Sequence, residues 1–431
     1  MSVIAWVAVA VFVGAYALIA TEKIHRIAAA LGGAAIMLVI GATTPEDAFF
    51  SEKSGIDWNV IFLLLGMMLI VSVLRRTGVF EYLAIWAVKR AAGRPYRVMV
   101  LLVLVTALAS AILDNVTTIL LIAPVTFLVC ERLKAPVAPF LIAEVLASNI
   151  GGTATLVGDP PNIIIAARAD LSYNDFLIHL APIVLILLVV FIGLCRVMFR
   201  SAFTYDPDTA AQLARLRERD AIKDSRLLVI SLVMLVVVTA AFMVHTVIHI
   251  EPSVVAMVGG LGLLALSRLN TDAVLKDVEW HTLVFFAGLF ILVGSLVSTG
   301  VIAHVSQAAT EATGDRVLGA SMLLLWGSAF LSAIVDNIPY VTTMSPVVAD
   351  MAAAQPGDSG QVLWWSLALG ADLGGNATAV GASANVVMLG MAERAGKKIS
   401  FWQFTKYGLV TTVVTIALAT PYLWLRYFVL T

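Results

Sequence analysis

The apolar residues of this chain gather in long runs with no polar stripe, and such runs read as membrane spans rather than surface helices. In the first half the runs are Val3–Ala20, Ile27–Gly41, Trp58–Leu74, Val98–Leu113, Thr117–Leu133, Pro139–Ala166 and Phe176–Phe199. Between Gly78 and Gly93 lies a shorter amphipathic stretch with Lys89 and Arg90, the pattern of a helix at the membrane interface. Only a polar Asp114-Asn115 step separates Val98–Leu113 from Thr117–Leu133. The two pieces therefore predict a re-entrant hairpin whose tip sits at membrane depth. Non-helical backbone survives there only when buried in protein or lining a cavity. Pro139–Ala166 is interrupted by Gly151-Gly152 and by Gly158-Asp159-Pro160-Pro161, which predicts a broken helix.

The pattern occurs twice. SAILDNVTTILLIAPV (110–125) returns as SAIVDNIPYVTTMSPV (332–347), identical at seven of sixteen positions. SNIGGTATLVGDPPNI (148–163) returns as ADLGGNATAVGASANV (371–386), again seven of sixteen. Trp58, Gly66, Thr77, Gly78 and Val79 return as Trp280, Gly288, Thr299, Gly300 and Val301. The expected fold is an all-α polytopic membrane protein of two repeats, 1–199 and 227–431, joined by a charged cytoplasmic linker, 200–226. Each repeat holds five transmembrane helices, one of them broken, and one hairpin. An odd number of crossings inverts the second copy relative to the first. Glycine-broken, polar segments at matching places in two halves point to a transporter's binding site.

Composition agrees. The chain is 61% hydrophobic and 13% charged, against roughly 45–50% and about 25% for soluble domains. A net charge of −1 gives no reason to expect a nucleic-acid partner. Two cysteines, Cys130 and Cys195, are too few for a disulfide framework or a thiolate metal site. The first apolar run has no basic residue before it and Lys23 and Arg26 after it, the reverse of a signal peptide's charge order. It reads as a span with the N-terminus outside. Threading the chain from there puts 23 lysines and arginines inside, Arg26 among them, and leaves Lys53, Arg168, Arg316 and Arg426 outside. That asymmetry is the positive-inside signature of a cell-membrane protein. The first hairpin then enters from the inside and the second from the outside.

The candidate chemistry sits at the tips and the breaks. An ionisable group inside a membrane costs at least roughly 2.5–3.5 kcal/mol, yet Asp114-Asn115 and Asp336-Asn337 fall at both tips. Either aspartate can cap the second arm of its hairpin, but asparagine or serine would do so without charge. Their oxygens suit a hard cation such as Na⁺, and a carboxylate can carry a proton. Gly151, Gly152, Thr153 and Thr155, matched by Gly374, Gly375, Asn376 and Thr378, suit close helix packing. They equally suit an unwound segment that offers carbonyls to a cation and N–H groups to an anion, and this reading is preferred. Asp159, in a segment matched by Gly381–Asn385, is either a third titratable group or a cap. Asn149, Asn162, Asn385 and Asp372 complete the set, with Glu144 further from the break.

No resident cofactor is expected beyond a coupling Na⁺ or H⁺. A metalloprotease would need a His-Glu-x-x-His helix, which is missing, and an aspartyl intramembrane protease would show Gly-x-Gly-Asp where this chain has Leu156-Val157-Gly158-Asp159. A channel has no need of two hairpins meeting from opposite faces.

At these motifs the chain resembles the ion transporter superfamily of ArsB-type arsenite pumps, NhaD-type Na⁺/H⁺ antiporters, the P protein and divalent-anion/sodium symporters. LDNVTTILLIAPVT, SNIGGTATLVGDPPNIII, DNIPYVTTMSPV and LGGNATAVGASANVV are most similar to its P-protein and ArsB-like permease branch. The resemblance implies two hairpins around a central site, a homodimer in the lipid bilayer, and elevator-like movement. It also implies cation sites at Asp114, Asn115, Thr117 and Thr118 with Gly151, Gly152 and Thr153. A second set falls on Asp336 and Asn337 with Gly374, Gly375, Asn376 and Thr378. Pro339-Tyr340 departs from the first tip's Thr117-Thr118. A cytoplasmic ATPase subunit, where one exists, would dock on 200–226. The expected function is secondary active transport of a small inorganic solute, with arsenite or antimonite efflux coupled to H⁺ or Na⁺ through Asp114 and Asp336. Na⁺/H⁺ antiport and sodium-coupled carboxylate transport are the alternatives. With no Arg or Lys placed near the site, a multivalent anion is disfavoured, and arsenite would travel as the neutral trihydroxide held by Asn, Thr and backbone groups.

Overall fold

The computed structural model describes residues 1–21, 24–51, 53–204, 218–313, 316–355 and 357–430. Lys23 and residues 205–217 of the linker lie outside them. The first repeat forms α1 (Val3–Thr21), α2 (Arg26–Val39), α3 (Pro45–Phe50), α4 (Trp58–Arg75), α5 (Val79–Arg90), α6 (Pro95–Ile112), α7 (Asn115–Leu133), α8 (Val137–Gly152), α9 (Pro160–Ala169), α10 (Tyr173–His179) and α11 (Ala181–Met198). The second forms α12 (Ser225–Ile248), α13 (Pro252–Ser267), α14 (Thr271–Lys276), α15 (Trp280–Ser298), α16 (Val301–Thr313), α17 (Val317–Ser332), α18 (Asn337–Ala353), α19 (Gln361–Gly374), α20 (Ser383–Arg394) and α21 (Phe401–Trp424). Apart from α10, which has no counterpart, the two repeats show the same succession, so the protein is an all-α membrane protein built on two inverted repeats. Among the described residues, seven helices are long and apolar enough to cross a membrane.

Local sequence sets the boundaries. Asp57 caps α4 through Val60 N at 3.2 Å, and Asp224 caps α12 through Leu227 N at 2.9 Å. α5 is bracketed by Gly78 and Gly93, both at positive φ, which glycine adopts without penalty. Pro124 and Pro346 stand inside α7 and α18 at equivalent places. The hairpin arms are longer than the apolar pattern predicts: α6 has 18 residues and α7 has 19, about 27 Å each at 1.5 Å per residue. The turn between them is only Leu113-Asp114.

The sequence repeats are not the packing units. α4 of the first repeat packs on α13 of the second, and α15 of the second packs on α2 of the first. A scaffold thus forms from both halves. The hairpins and broken helices form the other block, with α6 against α8, α17 against α19, α7 against α20 and α9 against α18.

Candidate functional site

Both hairpin tips and both helix breaks converge inside that second block. Asp114 caps α7, its Oδ1 accepting from Thr117 N at 2.7 Å, and Asp336 caps α18, accepting from Ile338 N at 3.0 Å. Both are only half-buried, whereas the asparagines beside them are buried. Asp159 stands at the N-cap position of α9 but makes no capping bond. Its carboxylate instead accepts from Asn115 Nδ2 at 3.0 Å and from Asn337 Nδ2 at 3.4 Å, one amide from each tip. Asn115 Nδ2 also donates to Asn149 Oδ1 at 3.1 Å. Asn149 Nδ2 crosses to the other repeat, donating to Asn376 Oδ1 at 3.0 Å and Asn385 Oδ1 at 3.2 Å. Five buried asparagines and one aspartate therefore stitch the two inverted halves together.

The breaks are filled from within. Asn162 Nδ2 donates to Thr155 O at 3.0 Å, with longer bonds to Gly152 O and Thr153 O; Asn385 Nδ2 donates to Gly375 O at 2.8 Å and Thr378 O at 2.9 Å. Thr155 Oγ1 donates to Ala111 O at 2.5 Å, and its counterpart Thr378 Oγ1 to Ala333 O at 2.6 Å. The carbonyls of Gly152, Thr153, Thr155, Gly375 and Thr378 thus accept side-chain amide donors. Gly151 and Gly374 sit at close helix crossings, against Ala107 and Ala329. Gly152 meets Gly158, and Gly375 meets Gly381, within the breaks. Thr153 Oγ1 donates to Asn149 O at 2.8 Å. Thr118 Oγ1 is buried without a partner, and Thr117 lines a cleft toward the scaffold. Asp372 is wholly buried and neither of its oxygens accepts a hydrogen bond. Glu144 lies apart, bonded to Thr126 at 2.6 Å.

Between this block and the scaffold lies a small cavity. Val116, Pro160, Ile338 and Ser383 line it, each in the first turn of its helix, so four helix N-termini, those of α7, α9, α18 and α20, face one space. The scaffold side brings Arg26, Leu64, Met68, Glu279, Thr282 and Phe285. Arg26 Nη1 donates to Ser383 Oγ at 2.8 Å, Ser383 Oγ donates to Asp336 Oδ2 at 2.5 Å, and the guanidinium lies 5.3 Å from the Phe285 ring centroid. Tyr16 on α1 donates to Pro339 O.

Arg26 overturns one expectation. Because it falls between two apolar runs it counts as a loop cation in the sequence, yet the fold delivers it to the site. Glu279 had a legible signal. It precedes Trp280 as Asp57 precedes Trp58, but it makes no cap and pairs with Thr282 at 3.0 Å.

The packing around the site is asymmetric. α4 packs on α9 and α15 on α18. The opposite end is a cleft lined by Met68, Ser72, Arg75, Thr117, Leu120, Asp277 and Glu279.

Comparison with known proteins matches residues 16–370 to the citrate transporter family. An uncharacterized transporter of Mycobacterium tuberculosis is 57% identical over 425 residues, 98% of this chain and 99% of that protein. The human P protein is 32% identical over 496 residues, covering 97% of this chain and 59% of that protein. Among solved structures, the YdaH transporter of Alcanivorax borkumensis shares the fold, with a TM-score of 0.60 at 15% identity over 91% of this chain and 88% of that one.

Proposed function

The chain belongs to the citrate transporter family and is a membrane transporter, and from that premise we infer that it moves a small anion by alternating access, coupled to a cation gradient across the cell membrane. The observation that carries this reading is the cavity at which four helix N-termini and Arg26 meet. Helix N-termini attract anions through the positive ends of their dipoles, and an arginine adds a permanent positive charge with a planar donor fork. This shifts the cargo from neutral arsenite, preferred on sequence alone, to an anion of the carboxylate class. Asp114 and Glu279 line this cavity, and Asp336 lines a neighbouring one that also touches Arg26 and Phe285, so carboxylates suited to a cation stand beside the groups suited to an anion. The cleft beside Arg75 and Asp277 gives the cargo its way to the inside.

The test is uptake into proteoliposomes of radiolabelled citrate and of arsenite, under imposed proton or sodium gradients. Citrate accumulation supports the reading; arsenite accumulation without citrate overturns it. Arg26→Gln removes a charge-assisted hydrogen bond worth about 1.5–3 kcal/mol, so KM for citrate should rise roughly ten- to hundredfold at about 1.4 kcal/mol per decade, with kcat less affected. Unchanged KM would remove Arg26 from the cargo site. Asparagine caps helices as well as aspartate, so Asp114→Asn with Asp336→Asn should leave the protein folded and monodisperse. Gradient-driven uptake should be lost; full uptake in the double variant would end the case for coupling through the tips.

A further inference from the structure

The two repeats differ in one informative exchange. The position that is Asn149 in the first repeat is Asp372 in the second, 223 residues on. Asn149 Nδ2 donates to Asn376 Oδ1 and Asn385 Oδ1. The counterparts of those two residues, at the same offset, are Thr153 and Asn162, and Asp372 lies beside the side chains of both. The inverted symmetry thus repeats the contact but not the donor. A carboxylate has no hydrogen to give. Neither oxygen of Asp372 nor Oδ1 of Asn162 has a well-formed hydrogen-bond partner, although the Thr153 hydroxyl and the Asn162 amide lie near enough to Asp372 to donate toward its carboxylate. Buried acceptors left unsatisfied, and above all a buried unpaired charge, are expensive. A carboxylic acid has the shape of an amide and carries one hydrogen, so a single proton completes the bond that Asn149 makes on the other side.

We propose that Asp372 is an inner proton station of the transporter, holding the coupling proton as a carboxylic acid that donates to Asn162 Oδ1. The proposal rests on the transport reading above and goes beyond it by locating the coupling ion. The step is a protonation alone: a proton taken up from one face converts the carboxylate to the acid, and its release to the other face regenerates the carboxylate. Asp159, buried and itself held by Asn115 and Asn337, is the ionisable group in electrostatic range of Asp372, and it in turn senses Asp336 and Asp114 at the cavity. Of the helices packed on α19, α8 brings Glu144, turned to Thr126, and α18 brings Tyr340, turned to Ser328. Among the described residues no lysine or arginine interacts with Asp372.

Asp372→Asn is the decisive variant, because asparagine is what the equivalent position of the first repeat already holds. It mimics the protonated state permanently. The expected result is a protein as thermally stable as the parent or more so, with citrate exchange across proteoliposomes at equal pH retained and proton-driven accumulation lost. Retained proton-driven accumulation overturns the proposal. A second readout needs no cargo. An acid-minus-alkaline infrared difference spectrum should contain a deuterium-sensitive carboxylic-acid carbonyl band that disappears in Asp372→Asn and persists in Asp114→Asn. A spectrum unchanged in Asp372→Asn overturns the proposal. If the band is lost but neither parent nor variant moves citrate, the proton station stands and the anion reading falls.

Discussion

Gly151→Ala should abolish transport and sharply lower thermal stability in detergent, and Gly374→Ala should do the same. A Cβ on Gly151 would sit 2.3 Å from Ala107 O and 2.6 Å from Ala107 Cα, and one on Gly374 would sit 2.6 Å from both the Cα and the O of Ala329. These are backbone atoms of the facing hairpin arm, so no side chain can swing aside. Ordinary overpacking costs about 1–3 kcal/mol. Here the two helices must separate, and the Ser148–Ser110 and Ser332–Ala371 bonds across the same crossings, at 3.0 Å and 2.7 Å, go with them. The matched controls are Gly193→Ala and Gly327→Ala, whose added methyls meet nothing within 4 Å. These should be neutral or stabilising by up to about 1 kcal/mol, since alanine is the better helix former. A melting temperature and uptake unchanged in Gly151→Ala would show that the crossing tolerates a wider spacing than the structure has.

The second large effect belongs to Asn149. Asn149→Ala removes the bridge between repeats and leaves the Oδ1 atoms of Asn376 and Asn385 without their shared donor. Each stranded buried group costs about 1–3 kcal/mol, and the first tip loses its link, through Asn115 and Asn149, to the break of the second repeat. Transport should vanish while the scaffold helices, which interlock separately, keep the protein in the membrane. Asn149→Asp separates loss of volume from loss of the donor. It keeps the shape but places a carboxylate against two amide oxygens, an arrangement that works only when protonated. Activity absent at neutral pH should therefore return in part as the pH falls through the pKa of the introduced acid. The measurement is the pH profile of citrate exchange in the variant against the parent. A variant equally active at all pH values would show that the bridge is not needed.

The membrane class, the inverted duplication, the hairpins and the broken helices are all legible in the amino-acid sequence. These follow from hydrophobic run length, from polar steps at fixed places, and from internal repetition, which are local or periodic properties. It also marked the residues that meet at the centre, because a buried amide or carboxylate stands out in an apolar run. What it left open was what those residues touch. Asp114, Asp336 and Asp159 look alike in sequence; only the fold makes the first two helix caps facing a cavity and the third the shared acceptor of Asn115 and Asn337. Only the fold shows that Gly151 and Gly374 make room for the backbone of Ala107 and Ala329. Arg26 was misplaced because a cation between two apolar runs reads as a loop residue, and nothing local says that a helix from the opposite repeat will close over it. Its partner Ser383 lies 357 residues away. Contacts at that separation are decided by how the interlocked scaffold halves seat the hairpins, a property of the packed whole that no window of sequence contains.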